Sequence, residues 1–280
     1  MSYINLRNRL HDLSKPLVMG ILNVTPDSFF PGSRSNKEGD IKEKALQMIR
    51  SGADIIDVGG YSSRPGAADV TITEEEGRVR KALEIIRLQS SEVLISIDTF
   101  RSSIARMAVN EFGVDIINDI TAGEGDKSMI DAVAELDVPY VMMHMQGNPS
   151  NMQDNPHYDD VVNDIILWFS ERLDRFRSAG IKDIIIDPGF GFGKTTDHNY
   201  KILDSLDRFR ILDCPIMAGL SRKSMIWKLL DCRPEDLPGL HGTLVLNTVA
   251  LMKGASIIRV HDTLEAVNTV KLIQRLRGSN

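Results

Sequence analysis

Cysteine is scarce in this chain: Cys214 and Cys232 are the only two among 280 residues, and neither stands in a CxxC pair. That argues against a disulfide framework and suits free thiols in a reducing compartment, so a cytoplasmic setting is expected. No HExxH occurs and no Cys/His cluster has zinc spacing. Long apolar runs are missing too. No stretch approaches the roughly 18 residues needed to span a bilayer. The first 15 residues are mixed polar, and the apolar run after them is too short for a signal peptide. An excess of positive charge is also lacking: 33 basic against 39 acidic residues leaves a net charge of −6. A general nucleic-acid binder is therefore not expected. No Pro/Gly/Ser-rich linker and no low-complexity tract divides residues 1–280, so a single domain is expected.

What is present is a recurring unit, a short apolar run followed by a helical pattern. The runs are Leu17–Leu22, Asp54–Val58, Val93–Ile97, Asp115–Ile117, Pro139–Met143, Asp183–Ile186, Pro215–Ala218 and Ser256–Val260. They are rich in Ile and Val and do not alternate, as strands of a parallel sheet buried on both faces do not. Between them lie amphipathic segments. Val162, Ile166, Phe169, Leu173 and Phe176 make one apolar stripe, and Thr73–Gly77 reads as a helix start with acids in its first turn. Eight evenly spaced strand–helix units predict a (β/α)8 TIM barrel, with residues 1–15 as an N-terminal extension. A doubly wound open sheet is the alternative. Three connections are long, at 23–37, 59–72 and 144–157, and a barrel places all three on the face where active sites sit.

Chemistry collects at the strand ends. In order they deliver Asn23, Asp57, Asp98, Asn118 with Asp119, His144, Asp187, Ser221-Arg222-Lys223, and Arg259 with His261. Singly, each has a structural explanation: Asp98 as a helix cap, Asn118 as a turn former, Asp187 as a strand end before Pro188. Together they put a charged or hydrogen-bonding group on nearly every strand at one rim. Asp98, Asn118 and Asp187 suit a flat heterocycle with a guanidine-like edge, which a carboxylate grips as it grips arginine. Arg222, Lys223, Arg259 and His261 follow the last two strands, the usual phosphate corner of this fold. Ser221 falls at or near a helix N-terminus, where backbone N–H groups attract anions. The implied ligand has a polar flat ring at one end and an anion at the other. "GFGFGKT", residues 189–195, is not a P-loop, because Pro188 stands where the first glycine is required. It reads instead as a glycine-rich turn that lets backbone approach a flat ligand.

In the same order along residues 16–276, "GILNVTPDSF", "GGYSSRPGA", "SIDT", "IINDI", "MMHMQG", "DPGFGFGK", "SRKS" and "RVHD" resemble the signatures of the dihydropteroate synthase family. The resemblance implies condensation of 6-hydroxymethyl-7,8-dihydropterin pyrophosphate with 4-aminobenzoate, giving 7,8-dihydropteroate and pyrophosphate. It implies pterin binding by Asp98, Asn118, Asp187 and Lys223, with Phe190 in the same pocket. Arg259, Val260 and His261 would hold the pyrophosphate, with Asn23 on a Mg²⁺ ion. Ser63, Arg64, Pro65 and Ser221 would line the aminobenzoate site, with Arg222 beside them. Asp187, Lys223, Arg259 and His261 are the expected catalytic set. Phe29 and Phe30 would cover the substrates when their loop closes. A homodimer and competition by sulfonamides are further expectations from the likeness. There are two departures: Tyr61 replaces the acid of the common GGESTRPG, and Pro31 stands where an acid is usual in the first loop. Two other readings compete, a methyltetrahydrofolate:corrinoid methyltransferase and a non-catalytic pterin-binding paralogue. The first has no need of a pyrophosphate corner; the second gains if the acids missing at 61 and 31 are essential.

Overall fold

Short Ile/Val runs pair side by side when both faces can be covered, and here they are covered by helices. The computed structural model describes residues 3–7, 9–25, 37–61, 70–148 and 151–278. β1 (Tyr3–Leu6) and β2 (Arg9–Asp12) form an antiparallel hairpin. Eight strands follow: β3 (Leu17–Asn23), β4 (Ile55–Gly59), β5 (Leu94–Asp98), β6 (Ile116–Asp119), β7 (Tyr140–Met143), β8 (Ile184–Asp187), β9 (Met217–Ala218) and β10 (Ile257–Val260). Their neighbours run β8-β7-β6-β5-β4-β3-β10-β9, all parallel, and a bridge between Ile186 and Ile216 closes the ring. This is the (β/α)8 barrel, not the open sheet. Each expected run contains a strand, though Pro215–Ala218 shrinks to two residues.

The helices are α1 (Lys37–Ser51), α2 (Ile72–Gln89), α3 (Ser102–Phe112), α4 (Met129–Leu136), α5 (Val161–Ser178), α6 (Thr196–Asp204), α7 (Ser224–Trp227), α8 (Leu237–Met252) and α9 (Thr263–Leu276), with a 3-10 turn at Leu206–Leu212. α2 starts at Thr71, whose side chain and that of Glu74 cap each other's backbone. α5 buries Val162, Phe169, Leu173 and Phe176 of the expected stripe, while Ile165 is buried and Ile166 only partly so.

The N-terminal extension plugs the barrel floor. Ile4, Leu6 and Leu13 pack with Met19, Ile55, Ile116, Val141, Ile185, Met217 and Ile257 from the strands. The hairpin is locked by Arg7, whose Nε and Nη2 donate to the Asp115 carboxylate at 2.5 and 3.1 Å. Its remaining N–H groups reach the carbonyls of Ser91, Glu92 and Val93. The lower end is thereby closed, and any ligand must enter from the upper rim.

Candidate active site

Side chains alternate along a strand between the helix layer and the barrel interior. The floor residues point inward, so the residues two positions later do as well. From Ile55, Ile116, Ile185, Met217 and Ile257 that step gives Asp57, Asn118, Asp187, Gly219 and Arg259. A dry lower layer is thus followed by a polar middle layer. Ladder register then sets neighbours: Asp57 beside Ser96, Asp98 beside Asn118, Gly59 beside both Asn23 and Asp98.

Arg259 occupies the centre. Its Nε donates to Asp57 Oδ2 and its Nη2 to Asp98 Oδ2, both at 2.6 Å. Asn118 Nδ2 donates to the same Asp57 oxygen at 3.1 Å. Asp57 Oδ1 and Ser96 Oγ are buried and have no hydrogen-bond partner among the described residues. Lost hydration pushes the Asp98 carboxyl up to about 7, although Arg259 pulls the other way. The sequence places Asp57 at its strand end without a role, yet it sits at the hub, and its signal is the floor-to-site step of two from Ile55.

Asp187 lies opposite. It is buried, its Oδ1 accepts from the Gly189 N–H at 2.7 Å, and burial raises its carboxyl while Lys223, Arg259 and Lys194 lower it. A Cβ at Gly219 would come within 3.7 Å of Asp187 Oδ2, so the short β9 leaves that oxygen room. The Lys223 ammonium stands 4.2 Å over the Phe192 ring. Lost hydration, then Arg259, lowers it to about 8. Ser221 joins the last two strand ends: its Oγ lies 3.0 Å from His261 Nδ1 and accepts from the His261 backbone N–H at 3.2 Å.

Asp98, Asn118, Asp187, Lys223, Arg259, Ser221 and His261 thus converge on the rim. Asn23 ends β3 there, its Oδ1 only 3.2 Å from where a Gly59 Cβ would stand. One expectation is corrected. The Arg222 guanidinium does not face the anion corner: Nε and Nη2 bind Asp262 at 2.9 and 2.7 Å, and Nη1 binds the Pro234 carbonyl. It braces one loop against the next. Phe190 is 1% exposed within the main core, and Val260 is 1% exposed in the layer beneath α8 and α9. Phe29, Phe30, Pro31, Ser63, Arg64 and Pro65 lie outside the described residues.

Position 61 has a local explanation. Tyr61 packs edge-on against Phe100, with ring centroids 5.1 Å apart, and Arg101 lies over both rings at 5.6 and 5.3 Å. The acid that answers Arg101 comes from α2: Arg101 Nη1 donates to Glu75 Oε2 at 2.8 Å. Glu75 is fully buried and also accepts from Thr99 Oγ1 at 2.7 Å. The acid-rich start of α2 is therefore partly an interior ion pair.

A parallel barrel with this rim matches a known class. The chain belongs to the pterin-binding enzyme family, whose model matches residues 19–261. It is 46% identical over 265 residues to dihydropteroate synthase of Escherichia coli (strain K12), covering 94% of this chain and 92% of that one. The solved dihydropteroate synthase of Yersinia pestis, in a sulfonamide drug complex, superposes with a TM-score of 0.91 at 39% identity, covering 99% of both chains. That of Xanthomonas albilineans with 4-aminobenzoic acid gives 0.89 at 38%, covering 99% of this chain and 98% of that one. No helix among the described residues is long and apolar enough to cross a membrane.

Proposed function

We propose that this rim joins 6-hydroxymethyl-7,8-dihydropterin pyrophosphate to 4-aminobenzoate, releasing pyrophosphate and 7,8-dihydropteroate, the dihydropteroate synthase reaction of folate biosynthesis. The observation that carries the reading is the meeting of an acceptor set, Asp98, Asn118 and Asp187, with a basic set, Lys223, Arg259 and His261, in one barrel mouth. The acceptors suit the N–H-rich pterin edge, and Lys223 suits its carbonyl side.

Arg259 holds Asp98 in the free site. Pterin N–H groups take its place on that carboxylate, and Arg259 turns toward the pyrophosphate while Asp57 keeps its Nε. Arg259 and His261 stabilise the charge that grows on the leaving group. The arylamine nitrogen attacks the exocyclic methylene carbon as the C–O bond breaks; pyrophosphate leaves with the electron pair and the nitrogen gives up a proton. The Asp187 carboxylate stabilises positive charge on the pterin side. Neutral arylamine is already nucleophilic, so catalysis rests on positioning and electrostatics. Ser63, Arg64, Pro65 and Ser221 are assigned to the aminobenzoate end.

The Asn23 oxygen fits Mg²⁺ as one hard ligand at the rim, the rest of the shell coming from water and substrate phosphates. Glycine at 59 leaves that oxygen free of a neighbouring side chain. Asn23 would hold the ion, which when bound offsets phosphate charge. Corrinoid-linked methyl transfer has no use for the basic corner.

The test is pyrophosphate release from the pterin substrate with Mg²⁺, with and without 4-aminobenzoate. Release coupled to dihydropteroate, abolished by EDTA and by Lys223→Ala, supports the reading. Pterin binding without turnover removes it in favour of a binding paralogue. Sulfonamides compete with 4-aminobenzoate in the same assay. The partner proposed is a second copy of this chain: α8 is apolar around its circumference, and Leu237, Val245 and Met252 stay exposed. Loss of the dimer on Val245→Glu, read by light scattering, checks this. A cytoplasmic setting fits the two free thiols, Cys214 and Cys232.

A further inference from the structure

We propose that Lys194 is a positioning residue of the pterin pocket: sealed behind the 187–193 turn, it clamps that turn to His144 and so sets both Asp187 and Lys223 on the ligand side. The inference rests on the pterin reading above and adds a residue outside the ligand-facing set.

Lys194 is the last residue of "GFGFGK" and is only 3% exposed. Its ammonium meets three acceptors: His144 Nδ1 at 2.9 Å, the His144 carbonyl at 3.2 Å and the Phe192 carbonyl at 2.8 Å. Three N–H donors thus find three partners. Burial pushes the His144 imidazole down to about 2, so the ring is neutral and its Nδ1 accepts. The ring is boxed by Trp168 at 4.8 Å and Tyr158 at 6.0 Å, so it is a fixed anchor.

The clamp reaches the site by two routes. His144 N–H donates to the Asp187 carbonyl at 2.9 Å, and the Gly189 N–H holds the Asp187 carboxylate. At Gly189 (φ +71°) a Cβ would lie 1.9 Å from the His144 carbonyl and 3.3 Å from Lys194 Nζ, so the turn closes on this carbonyl only as glycine. On the other route the Phe192 carbonyl, bound by Lys194, fixes the residue whose ring lies under the Lys223 ammonium. A Cβ at Gly191 would meet Lys223 Cδ at 3.2 Å, so turn and lysine are in contact. The charge matters as well as the bonds. Asp187 raises Lys194, Lys194 lowers Asp187, and burial brings Lys194 to about 7. The other charged or titratable groups acting here are Lys223, Arg259, His198 from α6, and Arg172 from α5 acting on His144.

Two variants separate bonds from charge. Lys194→Met removes both; Lys194→Gln keeps a donor and removes the charge. The probe is 6-hydroxymethylpterin, its dissociation constant measured from about pH 5 to 9, with KM for both substrates. Lys194→Met is expected to weaken pterin binding about 10- to 100-fold, the loss typical of a charged hydrogen-bond donor. KM for 4-aminobenzoate stays within about twofold, since the turn faces the pterin end. In both variants the part of the acid limb set by Asp187 moves to higher pH, because that carboxyl loses a positive neighbour and protonates sooner, while the part set by Asp98 stays. Native-like binding and an unmoved limb in Lys194→Gln overturn the inference, and that variant decides alone if Lys194→Met does not fold. Equal weakening toward both substrates with an unmoved limb also overturns it. Failure of the unsubstituted chain to bind the probe is a different result: it overturns the pterin reading itself, and the inference with it.

Discussion

Replacing Glu75 by glutamine tests whether a buried ion pair, and not an acid at position 61, sets the foot of the 59–72 connection. Gln is isosteric and can still accept from Thr99 or Arg101, so the substitution removes charge and little volume. Two short bonds end on this carboxylate, 2.7 Å from Thr99 and 2.8 Å from Arg101, and the residue is fully buried. A charge-assisted hydrogen bond contributes about 1.5–3 kcal/mol, and deleting one partner of a buried pair costs about 3–5 kcal/mol. Because one acceptor survives, the expected loss is about 2–3 kcal/mol. At roughly 2–4 °C per kcal/mol for a chain of this size, the melting temperature falls by roughly 4–12 °C. Arg101 also donates to the Val70 carbonyl at 2.5 Å and covers Tyr61, so it holds both ends of the connection that carries Ser63, Arg64 and Pro65. KM for 4-aminobenzoate therefore rises several-fold, while binding of 6-hydroxymethylpterin is unchanged. The sign with pH follows from burial. Burial raises the Glu75 carboxyl in the folded chain, so its protonation stabilises the native state, while the glutamine variant has nothing to titrate there. The gap in melting temperature thus widens on acidification. A gap that is absent at neutral pH, or that closes on acidification, refutes the reasoning.

Gly189→Ala should abolish pterin binding and destabilise the fold by more than 3 kcal/mol on an order-of-magnitude basis, because a 1.9 Å backbone clash adds to the left-handed cost. Gly113→Ala is the control: it has φ +60° and no atom within 4 Å of its Cβ, so it should lose only about 1–2 kcal/mol by urea denaturation. Asp98 is pushed up to about 7, and the ligand needs its carboxylate, so pterin affinity should fall about tenfold per pH unit below that value. Calorimetric titration across that range checks this, and a flat profile would exclude Asp98 as an acceptor for the ring. Asn23→Ala should raise KM for the pyrophosphate substrate about 10- to 100-fold and blunt its Mg²⁺ dependence, with the pyrophosphate-free pterin bound as before.

The barrel was legible because its signal is repeated. Eight Ile/Val runs at regular intervals leave few topologies, and errors of a residue at strand ends do not change the count. The rim residues were legible for a related reason: a charge just after a buried strand needs a partner, and several such charges imply a shared one. What stayed hidden depends on which neighbour a side chain chooses. Arg222 looked like a fourth cation for the anion because it follows a strand with Ser221 and Lys223. The loop after β10 supplies Asp262 forty positions later, and a bidentate pair takes the guanidinium away from the pocket. Lys194 is hidden inside a motif that is read through its glycines, as a turn against a flat ligand and not a phosphate loop, yet it meets an imidazole fifty positions earlier.

Asp57 shows why an unbroken apolar run conceals a site. "IIDVG" reads as a buried strand with one charge in it, a feature that averaging over the run discards. The alternation is present but masked, because the outward face is apolar against the helices and the inward face is apolar at the floor. On β4 the polar inward position is Asp57. With the floor fixed by Ile55, the step of two forces that carboxylate into the interior. A buried carboxylate demands a cation, and the same step from Ile257 on β10 gives Arg259. Those two statements predict the 2.6 Å pair before any distance is measured. They also explain its place at the hub. Asp57 neutralises part of Arg259 whether or not a ligand is present, which leaves the second bond, to Asp98, as the one that a pterin can displace.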